Sequence, residues 1–179
     1  MKKLNFIIKY GLALLLLSFY SCESWLNVTP SDRLSEEMLF NDREGFVKAL
    51  NGVYIELNTN ELYGRNLTAG ALDVMGQYYS VASSSHAFYN YGGLVYTGND
   101  EKALFDNMWQ KCYAVIACCN TIIEKCDENK AGLSPVWKGS IKGEALALRA
   151  MLHFDMLRLF GPLTSELDKE SISYQTNSD

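Results

Sequence analysis

Four cysteines, two of them adjacent, form the most reactive cluster in the sequence. Cys112, Cys119 and Cys126 recur every seven residues, and Cys118 lies beside the second. On a helix, seven residues span ~10.5 Å along the axis, whereas a disulfide tolerates a Cα separation of at most ~7 Å. Zinc sites gather their ligands with short Cys-x-x-Cys knuckles, and this spacing has none. We therefore predict that the thiols of Cys112, Cys119 and Cys126 are buried along one helix face and form no metal site, while Cys118 lies one position off that face.

Residues suited to acid–base or nucleophilic catalysis are scarce. The two histidines, His86 and His153, belong to no His-Glu-x-x-His pair, Gly-x-Ser-x-Gly elbow or recognisable triad. The sequence also has no glycine-rich phosphate loop of standard spacing. Two carboxylates at glycosidase spacing stay open as an alternative, but the sequence singles out no pair. We expect a structural role for His153, no enzymatic activity and no cofactor.

Aromatic rings are concentrated in the segment from residue 78 to residue 96. A tyrosine offers a flat apolar face and a hydroxyl, which suit the C–H face and the hydroxyls of a sugar. The candidate ligand contacts are Asp73, Tyr78, Tyr79, Tyr89, Asn90 and Tyr91. The alternative is that these rings only fasten the segment to the helices or face a partner protein.

Composition and charge set the broad class. The chain has 179 residues, of which 48% are hydrophobic and 21% charged, as expected for a globular domain with its own core. Its 16 basic residues stand against 21 acidic ones, for a net charge of −5. Nucleic-acid binding depends on clustered basic residues, so we expect no nucleic-acid partner.

The N-terminus has the features of a bacterial lipoprotein signal. After a basic start, an apolar run from 11 to 17 precedes Ser21 and Cys22, and this run is too short to span a bilayer. We predict a signal peptide over residues 1 to 21, lipidation of Cys22 and an extended tether over residues 22 to 30. At least two acyl chains would anchor the protein, because a single chain binds membranes reversibly. An ordinary signal peptide with a spare cysteine is the alternative.

Hydrophobic periodicity predicts four helices. Their ranges are 31 or 35 to 57, 67 to 79, 100 to 126, and 134 to 160. Ser134 and Pro135 start the fourth helix, and Gly161 followed by Pro162 ends it. Serine and glycine clusters predict a loop from 80 to 99.

The third and fourth helices each carry an apolar seam that needs a partner. The seams are Met108, Cys112, Val115, Cys119, Ile122 and Cys126 on the third, and Ile141, Ala145, Leu148, Leu152, Met156 and Leu159 on the fourth. The short connection between them predicts an antiparallel hairpin, and Trp109 is expected in its core. The predicted fold class over residues 31 to 179 is therefore all-α, a helical bundle of antiparallel helix pairs.

Three segments carry a family resemblance. They are residues 22 to 30, residues 46 to 54, and residues 143 to 162, which begin with the run Gly-Glu-Ala-Leu-Ala-Leu-Arg-Ala. In this order they resemble the SusD/RagB family of outer-membrane nutrient-binding lipoproteins. Asn27 replaces an acidic residue of the family pattern, and 163 to 165 replace its Val-Pro-Leu. The motif residues of the third segment are Gly143, Glu144, Ala145, Leu148, Arg149 and Ala150.

The resemblance implies both a fold and a function. The fold would be like the N-terminal part of the SusD-like, TPR-containing fold, and the chain a fragment of a longer protein. The function would be to bind oligosaccharides or similar nutrients at the cell surface, without catalysis, and to deliver them to a SusC-like TonB-dependent transporter. The lipid anchor would hold the protein at the outer membrane. A helical scaffold that contacts the transporter without binding sugar is the alternative.

Glu144 and Arg149 are five residues apart on the predicted fourth helix. They therefore lie ~140° apart around its axis and do not pair with each other as i,i+4 neighbours do. We predict that each reaches a different neighbouring helix, in a structural role and not as a ligand contact.

Overall fold

A computed structural model describes residues 35 to 162, 169 and 171 to 178. Within these residues the regular elements are all helices, which confirms the all-α prediction. They are α1 (Glu36–Leu39), α2 (Arg43–Leu57), α3 (Ala71–Met75), α4 (Tyr89–Gly92), α5 (Asn99–Glu128) and α6 (Pro135–Phe160).

Apart from Ser35 and Glu36, the described residues belong to one compact unit, which begins at Glu37. The predicted signal peptide, the lipidation site Cys22, the tether over 22 to 30 and the segment 163 to 165 lie outside the residues that the structure describes.

Helices α5 and α6 form the predicted antiparallel hairpin and carry most of the core. Near the connecting turn, Lys142 Nζ lies 2.6 Å from Asp127 Oδ1, and at the opposite end the rings of Phe160 and Phe105 are 6.1 Å apart. The predicted seam of α5 is entirely buried. That of α6 is buried as well, except for the half-buried Leu159.

The turn of the hairpin is closed by side chains. Asn129 adopts the left-handed conformation with φ of 49° and ends α5. Its Oδ1 accepts a 2.7 Å hydrogen bond from the Leu133 N–H, while its Nδ2 donates to the Leu133 carbonyl at 3.2 Å. Ser134 then caps α6 as predicted, because its hydroxyl accepts from the Trp137 N–H at 3.4 Å.

The first predicted helix is interrupted, so the prediction of one continuous helix ending at residue 57 was wrong. A new helix starts after Asp42, whose carboxylate caps it by accepting a 2.8 Å hydrogen bond from the Gly45 N–H. Phe40, buried in the break, packs edge-on against Phe46 at 4.9 Å. The chain passes so close that a Cβ on Gly45 would lie 1.5 Å from the Leu39 carbonyl oxygen. The apolar periodicity of the sequence does not indicate that Gly45 and the Leu39 carbonyl lie so close together.

The second predicted helix is much shorter than expected, since α3 covers only Ala71–Met75 of the range 67 to 79. Gly70 and Gly76 stand at its two ends, and Gln77 leaves the helical region with φ of 61°. The two glycines weaken helix formation by about 1 kcal/mol each relative to alanine, which is enough to end so short an element. The predicted loop 80 to 99 contains one helical turn, α4.

A row of ring contacts runs from the loop along the hairpin. Trp109, half-buried against the core as predicted, stands near the middle of this row. Successive ring centroids are 4.6 to 6.2 Å apart. In order, the rings are Phe88, Tyr91, Phe105, Phe160, Trp109, Tyr113, His153 and Tyr174.

Candidate functional site

A cleft of about 630 Å³ opens between the aromatic loop and the first turn of α5. We call it the loop cleft. Its wall combines rings, a guanidinium and carboxylates, with Arg65, His86, Phe88, Tyr89, Asp100 and Glu101 among the lining residues. Aromatic faces beside hydrogen-bonding groups are the usual lining of a small-ligand site.

Asn90 and Glu101 join the loop to α5 at the cleft. The Asn90 side-chain amide donates a 2.7 Å hydrogen bond to Glu101 Oε1, and only 6% of Glu101 is exposed. This bond, together with one from the backbone, holds the pKa of the Glu101 carboxyl below its usual range. Glu101 also lies in the first turn of the helix, where the dipole favours negative charge. The cleft therefore contains a fixed carboxylate at neutral pH.

Because Gly98 has no side chain, the Glu101 carboxylate can occupy the space beside it. A Cβ on Gly98 would lie 2.0 Å from Glu101 Oε2. Real Cβ atoms do not approach oxygen so closely, so a side chain here would displace the carboxylate from the cleft wall.

Tyr91 supports the loop cleft from inside. Its ring is 2% exposed and packs edge-on against Phe88 at 5.8 Å and Phe105 at 5.9 Å. With Ala71 and Val74 it forms a small core of its own, and burial raises the pKa of its hydroxyl to about 12. Packing of this kind fixes the backbone that carries Tyr89 and Asn90 at the cleft.

Arg65 and Phe88 form one wall. The Arg65 guanidinium carbon stands 5.7 Å from the Phe88 ring centroid, within the range of a cation–π contact. Arg65 Nε donates to Asn66 Oδ1 at 3.1 Å, which orients the planar fork. His86 follows on the same loop, and its Nδ1 accepts from the Phe88 N–H at 3.1 Å. The wall thus presents a ring with a positive charge above it.

The structure brings only some of the predicted contacts together. Three line the cleft, namely Tyr89, Asn90 and Tyr91. The others are not part of its lining. Tyr78 is 83% exposed, the Tyr79 hydroxyl donates to the Gly70 carbonyl at 3.2 Å, and the Asp73 carbonyl accepts from the Tyr78 N–H at 3.0 Å. Ligand contact by all six residues stays a prediction.

Sequence reasoning missed Arg65, Asp100 and Glu101. The two acidic residues stand where many helices begin with carboxylates, so they read as ordinary helix-start residues. Arg65 lies among turns that have no periodic pattern. One sequence feature could have indicated the cleft: the acidic pair Asp100 and Glu101 directly follows the aromatic loop.

The family-like run occupies the middle of α6. Ala145 and Leu148 are buried in the main core, and Ala145 is fully covered. Gly143 and Ala150 are exposed on the other side of the helix. Small and branched apolar residues at this spacing allow α6 to lie closely against α5.

The charged residues of the run tie three helices together. The Tyr54 hydroxyl of α2 donates to Glu144 Oε1 at 2.7 Å. Arg149 Nη1 donates to Asn120 Oδ1 of α5, also at 2.7 Å. The two side chains reach different neighbouring helices, and neither lines the loop cleft.

Three of the four thiols of α5 lie in the core. Cys112, Cys119 and Cys126 are buried, Cys118 is exposed, and all four are free. Burial raises the pKa of the Cys112 and Cys119 thiols to about 12. Among the described residues, no three His, Cys, Asp or Glu side chains group as metal ligands would.

A match to a known protein family covers all of the described helices. Residues 24–179 match the SusD-like family described as starch-binding and associating with the outer membrane. The chain belongs to the SusD-like family. The resemblance found in the sequence motifs is thereby confirmed. No helix within the described residues is sufficiently long and apolar to cross a bilayer.

Two SusD-like relatives from Formosa agariphila show how much of such a protein the chain represents. SusD-like protein P2 is 25% identical over 166 residues, which cover 90% of this chain and 30% of the relative. SusD-like protein P25 is 23% identical over 175 residues, or 89% of this chain and 31% of the relative. The chain therefore spans less than a third of each. No solved structure matches it significantly.

Proposed function

We propose that this chain is part of a cell-surface lipoprotein that binds oligosaccharides and passes them to a SusC-like TonB-dependent transporter of the outer membrane. The observation that carries the proposal is the match of residues 24–179 to a starch-binding, outer-membrane-associated family. The loop cleft supplies the candidate site on this part of the protein.

The chemistry of the loop cleft suits a sugar. Phe88 and the half-exposed Tyr89 offer apolar ring faces for the C–H face of a pyranose. Arg65 has several N–H donors, while Asp100 and Glu101 are acceptors, so sugar hydroxyls would find both kinds of partner. Charged hydrogen bonds are the stronger ones, and their fixed geometry favours selectivity.

The lowered pKa of Glu101 supports binding without cleavage. A glycosidase needs one carboxylic acid with a raised pKa to protonate the leaving group. At the loop cleft, the hydrogen bond from Asn90 lowers the pKa of Glu101 instead. We therefore propose a binding role, and detectable release of reducing ends by the purified chain would contradict it.

Lipidation of Cys22 belongs to the same proposal. The lipobox-like sequence around this residue predicts a thioether-linked acyl anchor at the outer membrane, with the helical domain on the cell surface. Metabolic labelling with a clickable fatty acid tests it: label should be incorporated into the native chain and be lost in Cys22→Ala. Undiminished label in Cys22→Ala would remove the anchor from the proposal.

Sugar binding is tested with two matched tyrosine variants. Isothermal titration with starch-derived and other oligosaccharides should show that Tyr89→Ala weakens binding at least about fivefold, as expected when a stacking ring is lost. Tyr54→Ala removes an exposed tyrosine that neither lines the cleft nor is a candidate ligand contact, and it should bind like the native chain. Equal losses in both variants would mean that the loop cleft is not the site.

The second candidate function is a helical scaffold that contacts the transporter and binds no sugar. Exposed apolar side chains on the outer side of α6, including Met151, Phe154 and Leu157, favour it. A glycan array that stays silent, while the chain still co-purifies with the transporter, would select this candidate.

A further inference from the structure

Residues 173 to 178 have no regular secondary structure and lie along the α5–α6 hairpin, away from the loop cleft. We call this segment the strap. Polar side chains of both helices contact it, and together they define the strap groove: Tyr113, Asn120 and Glu124 on α5, with Arg149 and His153 on α6.

Asn120 is the centre of the strap groove. Its side chain is fully buried, and its Nδ2 donates to the carbonyls of Asn177 at 2.7 Å and Gln175 at 3.4 Å. Its Oδ1 accepts from Arg149, whose Nη1 also donates to the Thr176 carbonyl at 3.2 Å. The Arg149 bond therefore orients the amide so that its donors face the strap.

The groove also accepts hydrogen bonds from the strap. The Gln175 N–H donates to His153 Nε2 at 3.2 Å, and the Ser178 N–H donates to Glu124 Oε1 at 2.9 Å. The Ser178 hydroxyl bonds to the other oxygen of the same carboxylate at 2.5 Å. Since His153 Nδ1 lies 2.9 Å from the Arg149 carbonyl, the imidazole holds its proton there and leaves Nε2 free to accept.

Most of these contacts are hydrogen bonds to main-chain atoms of the strap. The Tyr113 hydroxyl donates to the Ser173 carbonyl at 2.6 Å, which adds a further backbone contact. Two side chains of the strap take part as well, the Ser178 hydroxyl and the Tyr174 ring, which lies 4.6 Å from the His153 ring. Recognition through main-chain atoms tolerates many different side chains in the bound segment.

The groove is built by the hairpin, whereas the strap is mostly exposed. The Asn120–Arg149 bond and the contact of His153 with the Arg149 carbonyl lie entirely within α5 and α6. Without an occupant, the Asn120 amide would exchange its two carbonyl acceptors for water. The side chains that line the groove therefore belong to the hairpin and are held there by contacts that do not involve the strap.

We propose that the strap groove is a binding site for non-helical peptide segments, and that residues 173 to 178 fill it as a detachable strap. The preferred ligand has an aromatic residue at the position of Tyr174 and a hydroxyl at the position of Ser178. The site is independent of sugar binding and uses none of the residues of the loop cleft.

The test supplies the strap as a separate molecule. The probe is an acetylated and amidated peptide of residues 171 to 178, titrated calorimetrically into three forms of the full chain. The native chain should not bind it, because its own strap fills the groove. Tyr174→Ala combined with Ser178→Ala weakens that strap and should allow binding. Adding Glu124→Gln to this variant should weaken binding at least about tenfold, as a charged acceptor is lost.

The proposal is overturned if the weakened-strap variant keeps its helical circular dichroism and binds no peptide, or if a scrambled peptide binds equally well. Hydrogen exchange on the unmodified chain gives a second readout. The Gln175 and Ser178 amides should exchange together, at least about tenfold faster than buried α6 amides, since a detachable segment opens locally. Exchange of these two amides only upon global unfolding would equally overturn it.

Discussion

The side-chain amide of Asn90 donates a 2.7 Å hydrogen bond to the carboxylate of Glu101. Through this bond the aromatic loop is fastened to the first turn of the longest helix. The lining of the loop cleft therefore depends on a contact between two residues that are 11 positions apart in the sequence.

The Asn90–Glu101 contact should make the loop sensitive to acid. Its hydrogen bond lowers the pKa of Glu101, so the carboxylate stabilises the loop above the ordinary carboxyl range and loses this effect as the pH falls below about 4.5. The hydrogen-exchange protection factors of residues 86 to 95, which correct for the intrinsic effect of pH on exchange, should fall several-fold below that pH. Asn90→Ala should exchange fast at neutral pH already, whereas Asp100→Asn should behave like the native chain. Protection of the loop that stays the same from pH 7 down to acid in which every carboxyl group is protonated would contradict this account.

Two glycines of α2 should respond oppositely to alanine. A Cβ on Gly45 would meet the Leu39 carbonyl, whereas a Cβ on Gly52 would have nothing within 4 Å. Gly45→Ala should therefore lower the free energy of unfolding by more than about 1 kcal/mol, because the backbone must shift. Gly52→Ala should raise it by about 0.5 to 1 kcal/mol, as expected in a helix interior. Urea unfolding followed by circular dichroism measures both, and the same sign for the two would disprove the close approach.

Tyr63 should contribute more to stability than Tyr54. The half-buried Tyr63 hydroxyl donates to Asp155 Oδ2 at 2.5 Å, and burial followed by this bond raises its pKa. Tyr63→Phe should lower the free energy of unfolding by about 1.5 to 3 kcal/mol, the range for a hydrogen bond to a charged group. The exposed Tyr54–Glu144 bond is the control, and Tyr54→Phe should cost less than about 1 kcal/mol.

The cysteines should differ in reactivity. Burial raises the pKa of Cys112 and Cys119 to about 12, so at pH 8 only on the order of one thiol in 10,000 is ionised. Cys118 is exposed and should be alkylated by iodoacetamide first. Peptide mapping by mass spectrometry after a brief native reaction checks the order, and labelling in urea should equalise the sites. Rapid native labelling of Cys112 would contradict its burial.

The long helices could be predicted from the sequence because the residues that define them, the apolar seams and the terminal residues, are close together in the chain. Steps of three and four between apolar residues on α5 and α6 gave both seams, and the Ser-Pro start and Gly-Pro end bounded α6. The break between α1 and α2 depends on Gly45 receiving the Leu39 carbonyl, a contact made only in the folded chain. Apolar periodicity continues through such a break, and this is why one helix was predicted there.

The candidate site was predicted only in part for a related reason. Aromatic composition indicated the loop, and Tyr89 and Asn90 do line the cleft. Composition does not distinguish an exposed ring at the cleft, such as Tyr89, from a buried ring that supports the cleft from inside, such as Tyr91. The strap groove was missed entirely, because Asn120 and Arg149 are 29 positions apart and meet only once the hairpin forms.

The row of rings along the hairpin makes Trp109 a built-in optical reporter. Its indole stands between Phe160, which leads toward the loop cleft, and Tyr113, which contacts the strap. Ligand capture at one end or strap release at the other should therefore shift its emission. With Trp25 and Trp137 replaced by phenylalanine, steady-state tryptophan fluorescence would follow both events in unlabelled protein.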